Sequence, residues 1–557
     1  MLNFLSPSLA ALAAVTLVPN ALALSTPNSS LVVKLGYGSF QGLNSSDGLS
    51  VFLGMPFAAP PTGDLRFGLP ELPIPFKGIR QADSYGAACP QQDSPPPPNL
   101  PFSFPVLANQ SEDCLFINVF KPANIAAGKK LPVLFYIYGG AFEIGDTSQY
   151  DGSALVNRSI ALNEPVIFVS ANYRLNAFGF LGGKEVKQAG IGNAGLQDQI
   201  AALQWVQKYI AQFGGDSKRV TLMGESAGAI SIGLLMVVNN GNTNGLFTGG
   251  IMQSGSPIPL PEIQFQQKWF DFLAGATNCT TTSDRLKCLR QVPYDKFLAA
   301  MNKTPNIFSY ESVNLAWLPT VDGKLLARDP LVSLQQGKYA KIPFITGDAE
   351  DEGTVFSFSS LNVTTDQQFL DYVRSNFLPN ISDEQLKAVA SAYPADPAQG
   401  SPFHTGDVDA VTPEFKRIAA FQGDYLFQGP RRNLLSIASK TQPTYAFRYE
   451  RGASTPFVGA SHGSDLAEFF GLDNTTEYLG VDSVIFFTNN GNPNAPKNSS
   501  SKLANITWNK WASSSQNPPL LTFIDPAPSV NITYDTYRQG PIDLLNKLLV
   551  TKIGHPF

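Results

Sequence analysis

The chain has 557 residues, 43% hydrophobic and 15% charged, with a formal net charge of -5. That composition supports a large buried core and lies far from that of disordered chains. The acidic balance and the lack of any clustered run of Lys and Arg argue against nucleic acid as a partner, and the length alone leaves one heavily inserted domain as open as several.

Met1 to Ala23 carries no charged side chain, and its apolar run is followed by Ala21-Leu22-Ala23, an A-x-A cleavage pattern. Residues 1–23 therefore resemble a signal peptide, with the departure that the n-region lacks a Lys or Arg. The run is much shorter than the roughly 20 residues that span a bilayer, which argues against a stable membrane anchor. A secretory route also fits twelve Asn-x-Ser/Thr sequons, at Asn28, Asn44, Asn109, Asn157, Asn278, Asn302, Asn362, Asn380, Asn474, Asn498, Asn505 and Asn531. The four cysteines allow three pairings, of which the nearest-neighbour one, Cys89 with Cys114 and Cys279 with Cys288, is expected. They lack the C-x-x-C spacing and nearby His of a metal site.

Residues 31–57 read as short strands punctuated by Gly and Asn, including Val32-Val33-Lys34 and Val51-Phe52-Leu53, and predict a small β-sheet opening the fold. The stretch 90–113, with Pro95 to Pro98 at its centre, predicts a stiff surface loop between Cys89 and Cys114. Continuous apolar runs follow at 131–138, 166–169, 220–223, 250–253 and 342–346, as expected of parallel strands buried on both faces. Between them, residues 196–213 place Ile200, Leu203, Trp205, Val206 and Ile210 near a 3.6 period before the stop Gly214-Gly215. Strands alternating with helices predict an α/β sheet. The polar stretch 489–501 reads as an exposed loop.

G-x-S-x-G occurs twice, around Ser226 and around Ser461, so the pattern alone is weak. Context separates the two. Ser226 follows the apolar strand Arg219-Val220-Thr221-Leu222-Met223 and precedes an apolar helix, which is the strand-turn-helix setting of a nucleophile elbow. Small flanking residues let the backbone turn sharply and aim the next helix N-terminus at the hydroxyl. Ser461 lacks that setting and reads as a neighbour of His462.

A serine hydroxyl needs a base, and only His404, His462 and His555 are available. His462 follows a strand at 445–449 and a Gly-rich loop, beyond a strand's carboxyl end, where α/β sites form. His404 lies in a turn with no flanking strand and reads as a surface residue. The acidic partner is expected between Ser226 and His462 in chain order. The cluster Asp348, Glu350, Asp351 and Glu352 follows a strand there, spacing does not choose among the four, and at least two are expected to be solvated loop acids. Tyr138-Gly139-Gly140-Ala141-Phe142 follows the strand 131–138 as an oxyanion loop should.

With Pro61 to Phe67, Ser111 to Leu115, Asn172 to Arg174, Gly195 to Gln199, Phe213 to Asp216, Gln253 to Pro257 and Ser360 to Thr365, these motifs resemble the type-B carboxylesterase/lipase family, and within it the secreted fungal lipases and sterol esterases. The resemblance covers nearly all the chain past the leader. It implies an α/β-hydrolase fold over 24–557 as a single domain: a large, mostly parallel central sheet flanked by helices. It implies Glu352, the carboxylate before a glycine, as the acid, His462 as the base, and Gly140, Ala141 and Ala227 as oxyanion donors, with Ala141 standing where the family usually has a third glycine. It implies the same two disulfides, and structural ion pairs between Arg66 and Glu112 and between Arg174 and Asp198.

The reading is therefore a secreted serine carboxylic-ester hydrolase acting on small-molecule or lipid esters, including sterol or acylglycerol esters, with no metal or other cofactor. The family's lid position, the first disulfide loop, is short here and proline-rich, so weak interfacial activation is expected. The rival readings are a non-catalytic cholinesterase-like binding module and a specialised phenolic-ester hydrolase.

Overall fold

A computed structural model describes residues 31–551 except 46, 98–106, 108 and 473–478. The leader 1–23, Asn28, Asn474, His555 and residues 98–106 of the proline-rich loop lie outside the described residues. Among those described, the strands in chain order are β1 (Val32–Leu35), β2 (Gly38–Gln41), β3 (Leu43–Asn44), β4 (Leu49–Pro56), β5 (Ile79–Gln81), β6 (Phe116–Pro122), β7 (Leu131–Ile137), β8 (Ile167–Ala171), β9 (Gly215–Glu225), β10 (Gly249–Gln253), β11 (Phe344–Ala349), β12 (Thr444–Tyr449), β13 (Pro519–Phe523) and β14 (Val530–Tyr534).

β1, β2 and β5 form the small N-terminal sheet. The other eleven form one large sheet in the order β14-β13-β12-β11-β10-β9-β7-β8-β6-β4-β3. Its middle, from β8 to β13, is parallel throughout, and antiparallel strands close both edges. The burial of β7, β8, β10 and β11 along their whole length explains why they read as unbroken apolar runs: helices cover both faces. Edge strand β14, Val-Asn-Ile-Thr-Tyr, is exposed at three of its five positions and carries no such run.

One sequence expectation changes. Val51-Phe52-Leu53 does not join the opening sheet but lies in β4, antiparallel to β6 in the large sheet. Its partner strand begins some sixty positions later, a pairing that no local pattern encodes.

The helix Ala194–Tyr209 tightens into a 3₁₀ turn over Ile210–Phe213 and stops at Gly214, whose φ of 86° favours glycine. The helix Ala227–Leu235 is buried at every position, so its apolar residues show no polar face. Four connections leave the carboxyl ends of neighbouring parallel strands: β7 into Gly139-Gly140-Ala141, β9 into Ser226, β11 into 350–353, and β12 into the loop reaching His462. The twist of a parallel sheet gathers such ends at one crevice.

Candidate active site

Ser226 sits between β9 and its helix at φ 55° and ψ -124°, a conformation L residues rarely adopt. Glycine on either side is required for room. A Cβ on Gly228 would stand 1.9 Å from the carbonyl oxygen of Ile137, and one on Gly224 would stand 2.7 Å from the carbonyl carbon of Gly228. The Ser226 N–H donates to the Gln253 carbonyl at 2.9 Å, pinning the elbow to β10. Its hydroxyl is thereby presented to His462, whose Nε2 lies 2.8 Å from Oγ.

The other ring nitrogen of His462, Nδ1, lies 2.5 Å from Oε2 of Glu352. Oε1 of Glu352 accepts from the Ser254 hydroxyl and from the Ala349 N–H, both at 2.6 Å. Three hydrogen-bond partners thus hold this buried carboxylate and fix its direction. Phe356 and Phe427 flank the imidazole, with centroids 5.0 and 4.7 Å from the ring.

The four acids of the cluster part company here. Asp348 pairs with the buried Arg431. Glu350 pairs with Arg448 and faces His404. Asp351 accepts from the Ser401 hydroxyl and from the N–H groups of Phe403 and Ala460, tying the His462 loop to the turn after β11. Only Glu352 reaches His462. The expected solvated loop acids are absent: all four are at least 95% buried, each held by a partner of its own.

His404 keeps its side chain 82% exposed. Ser461 lies in a bridge pairing with Asp351, and among the described residues its hydroxyl makes no bond to an imidazole. Phe469 and Phe470 are fully buried against Phe447, Phe523, Tyr136 and Tyr150, so core packing accounts for them.

Gly140, Ala141 and Phe142 all have positive φ, at 104°, 58° and 57°. The Gly140 carbonyl accepts from the N–H groups of Glu143 and Ile144, each at 2.9 Å, closing a tight turn. Among the described residues no protein acceptor takes the N–H of Gly140, Ala141 or Ala227. Ala141 occupies the left-handed region at a backbone cost of about 1 kcal/mol. The departure from a third glycine therefore changes strain and leaves the donor in place.

Sequence reasoning missed a second carboxylate. Glu225 places Oε1 3.3 Å from Nε2 of His462 and is buried. Burial pushes its carboxyl up to about 8, against the opposing pull of His462. Burial alone lowers the imidazole, but Glu352 and Glu225 outweigh it and raise His462 to about 9. Asp465, hydrogen-bonded to Gln253, is raised by burial to about 6. These groups titrate as a set. The signal for Glu225 was its place as the variable residue of the elbow, and for Ser254 its place in the stretch Gln253 to Pro257. Among the described residues no group of three or more His, Cys, Asp and Glu could hold a metal ion.

Further out, Cys89 is bonded to Cys114 and Cys279 to Cys288. Arg66 grips Glu112 through two 2.6 Å bonds, and Arg174 grips Asp198 at 2.7 and 2.8 Å. Sequon residues Asn109, Asn278, Asn362, Asn380, Asn498, Asn505 and Asn531 are exposed, while Asn44, Asn157 and Asn302 are half-buried. No helix of the described residues is long and apolar enough to cross a membrane.

Comparison with known proteins places the chain in a family. The model of the carboxylesterase family matches residues 29–535. The chain is 39% identical to Lipase 4 of Diutina rugosa, over 89% of this chain and 92% of that one. It is 36% identical to the secreted triacylglycerol lipase LIP1 of Gibberella zeae, over 95% and 92%. Among solved structures, EstA of Aspergillus niger superposes with a TM-score of 0.79 at 27% identity, covering 93% of this chain and 98% of that one. The α/β-hydrolase sheet and these relatives make the protein a serine carboxylic-ester hydrolase, and the chain belongs to the carboxylesterase family.

Proposed function

We propose that the protein is a secreted hydrolase of acylglycerol or sterol esters that works through an acyl-enzyme on Ser226, with His462 as general base and Glu352 as the acid that orients it. The observation that carries this reading is the unbroken relay from Glu352 through His462 to the hydroxyl of a serine held in a strained elbow. His462 takes the Ser226 proton as Oγ bonds to the ester carbonyl carbon. The carbonyl oxygen becomes an oxyanion facing the N–H groups of Gly140, Ala141 and Ala227. Collapse breaks the bond to the alkoxy oxygen, which leaves as the alcohol with the proton from His462. Water then repeats the sequence on the acyl-enzyme and releases the acid. A binding-only module has no use for a buried carboxylate trained on an imidazole that faces such a serine.

Secretion is supported by the leader pattern over 1–23, the two disulfides and relatives named as secreted lipases. Residues 24–557 act as one catalytic domain, glycosylated first at the exposed sequons. Lipid esters are favoured because the relatives are named lipases, one of them a triacylglycerol lipase. The short Cys89–Cys114 loop implies weak interfacial activation, which a steep rate increase above a substrate's solubility limit would contradict.

The test is hydrolysis of nitrophenyl esters from acetate to stearate, then of triolein and cholesteryl oleate, by wild type and Ser226→Ala. The reading expects a wild-type activity that the variant loses. Activity surviving in the variant, or two silent proteins, would overturn it.

A further inference from the structure

The oxyanion loop is not held by its own turn alone. Its far end, Gly145, is paired on both backbone groups with one side chain: the Gly145 N–H donates to Oε1 of Gln91 at 2.5 Å, and Nε2 of Gln91 donates to the Gly145 carbonyl at 3.1 Å. Nε2 also donates to the Cys89 carbonyl at 2.6 Å, and the Gln91 backbone N–H donates to Oε1 of Gln110 across the neck of the disulfide loop at 3.0 Å. Gln91 is 9% exposed, so these bonds form out of water, where losing them is costly.

Two further ties run the same way. The Glu143 carbonyl accepts from the Gln92 N–H at 3.0 Å, and Nδ2 of Asn176 donates to the Pro90 carbonyl at 2.7 Å while the Asn176 N–H donates to the Phe142 carbonyl at 2.6 Å. Residues 90–92 therefore grip the oxyanion loop at 142, 143 and 145. Gly145 also lies close against the start of that loop, where an added Cβ would come within 2.9 Å of the Gly139 carbonyl oxygen.

We propose that Gln91 is a positioning residue for the oxyanion loop, fixing the N–H groups of Gly140 and Ala141 by clamping Gly145 to the neck of the Cys89–Cys114 loop. The clamp rests on the catalytic reading given above and extends it to a residue that touches no substrate. A donor displaced from the oxyanion loses stabilisation that a ground-state carbonyl never had. Loosening the clamp therefore lowers kcat and leaves KM nearly unchanged.

The test begins with wild type and a phosphonate ester, whose adduct is mapped by mass spectrometry. Gln91→Met, which keeps the side-chain length and removes both bonds to Gly145, is then compared with wild type on a soluble nitrophenyl ester and for inhibition by a trifluoromethyl ketone. The expected result is a kcat lowered on the order of 10-fold or more, approaching the cost of one lost oxyanion donor, with KM within about two-fold and ketone affinity weakened in proportion to kcat/KM. A loss confined to thermal stability, or a KM rise at unchanged kcat, would overturn the clamp. If Gln91→Met does not fold, Gln110→Ala, which frees Gln91 from the outer side of the neck, must lower kcat in the same sense, and its failure to do so overturns the clamp equally. An adduct away from Ser226 in wild type overturns the catalytic reading and the clamp together. An adduct on Ser226 with unchanged kcat in the variant overturns the clamp alone.

Discussion

Glu225 sets its Oε1 3.3 Å from Nε2 of His462, the same ring nitrogen that faces Ser226 Oγ at 2.8 Å. The imidazolium formed as Ser226 loses its proton therefore lies between two carboxylates, Glu352 behind and Glu225 beside. Both raise His462, in opposition to burial, to about 9. Glu225→Gln removes one of them and must lower the imidazole. The acid limb of kcat/KM against pH is expected to move to lower pH by about 1 unit. A limb that stays in place or moves upward would contradict the assignment.

Glu143 carries a pH dependence of stability. It is fully buried and accepts from the Ile307 N–H, and burial raises its carboxyl from 4.5 to about 8. A group raised on folding contributes stability that is complete below 4.5 and is lost as pH climbs through the folded value, at about 1.4 kcal/mol per unit of difference. Glu143→Gln is expected to flatten the fall in denaturation midpoint between pH 4.5 and 8 relative to wild type. Parallel wild-type and variant curves across that window would refute it.

Arg431 is buried between Asp348 and Asp535 at 2.8 Å from each. Coulombic attraction to Arg431 and Arg432 holds the Asp535 carboxyl far below its usual range in spite of burial. Arg431→Met strands the buried Asp348 and leaves Asp535 to Arg432 alone, and urea unfolding should show a loss of about 3–5 kcal/mol. A loss under about 1 kcal/mol would mean that water enters and solvates the pair.

Ala141 at φ 58° invites the family's glycine. Ala141→Gly relieves backbone strain of about 1 kcal/mol, offset in part by the wider freedom of glycine in the unfolded chain. kcat is expected to stay within a few-fold of wild type, since the N–H remains. A large fall in kcat would show that the methyl group itself contributes to the site.

Most of the scaffold was legible because parallel strands buried on both faces leave apolar runs that need no partner to be recognised: β7, β9, β10, β11 and β12 coincide with runs seen in the sequence. What stayed hidden is non-local. β4 reads the same whether it pairs with β2 or with β6, and only the folded chain places it on β6. Asp351 and Glu352 are chain neighbours with different partners, Ala460 N–H and His462 Nδ1, because successive residues of a turn point in different directions. Spacing left four acids open, and geometry singles out one. Glu225 and Ser254 lay inside recognised motifs, but their roles, like that of Gln91, stayed hidden for the same reason, since each acts through an atom contributed by a distant segment.

The central claim is that Ser226 is the nucleophile. Its most direct test is mass spectrometry of the wild-type protein after reaction with a fluorophosphonate, with the modified peptide sequenced. The account predicts one adduct per chain, on the Oγ of Ser226, with loss of ester hydrolysis in step with labelling. An adduct on Ser461 or elsewhere, or full ester hydrolysis with Ser226 modified, would contradict it.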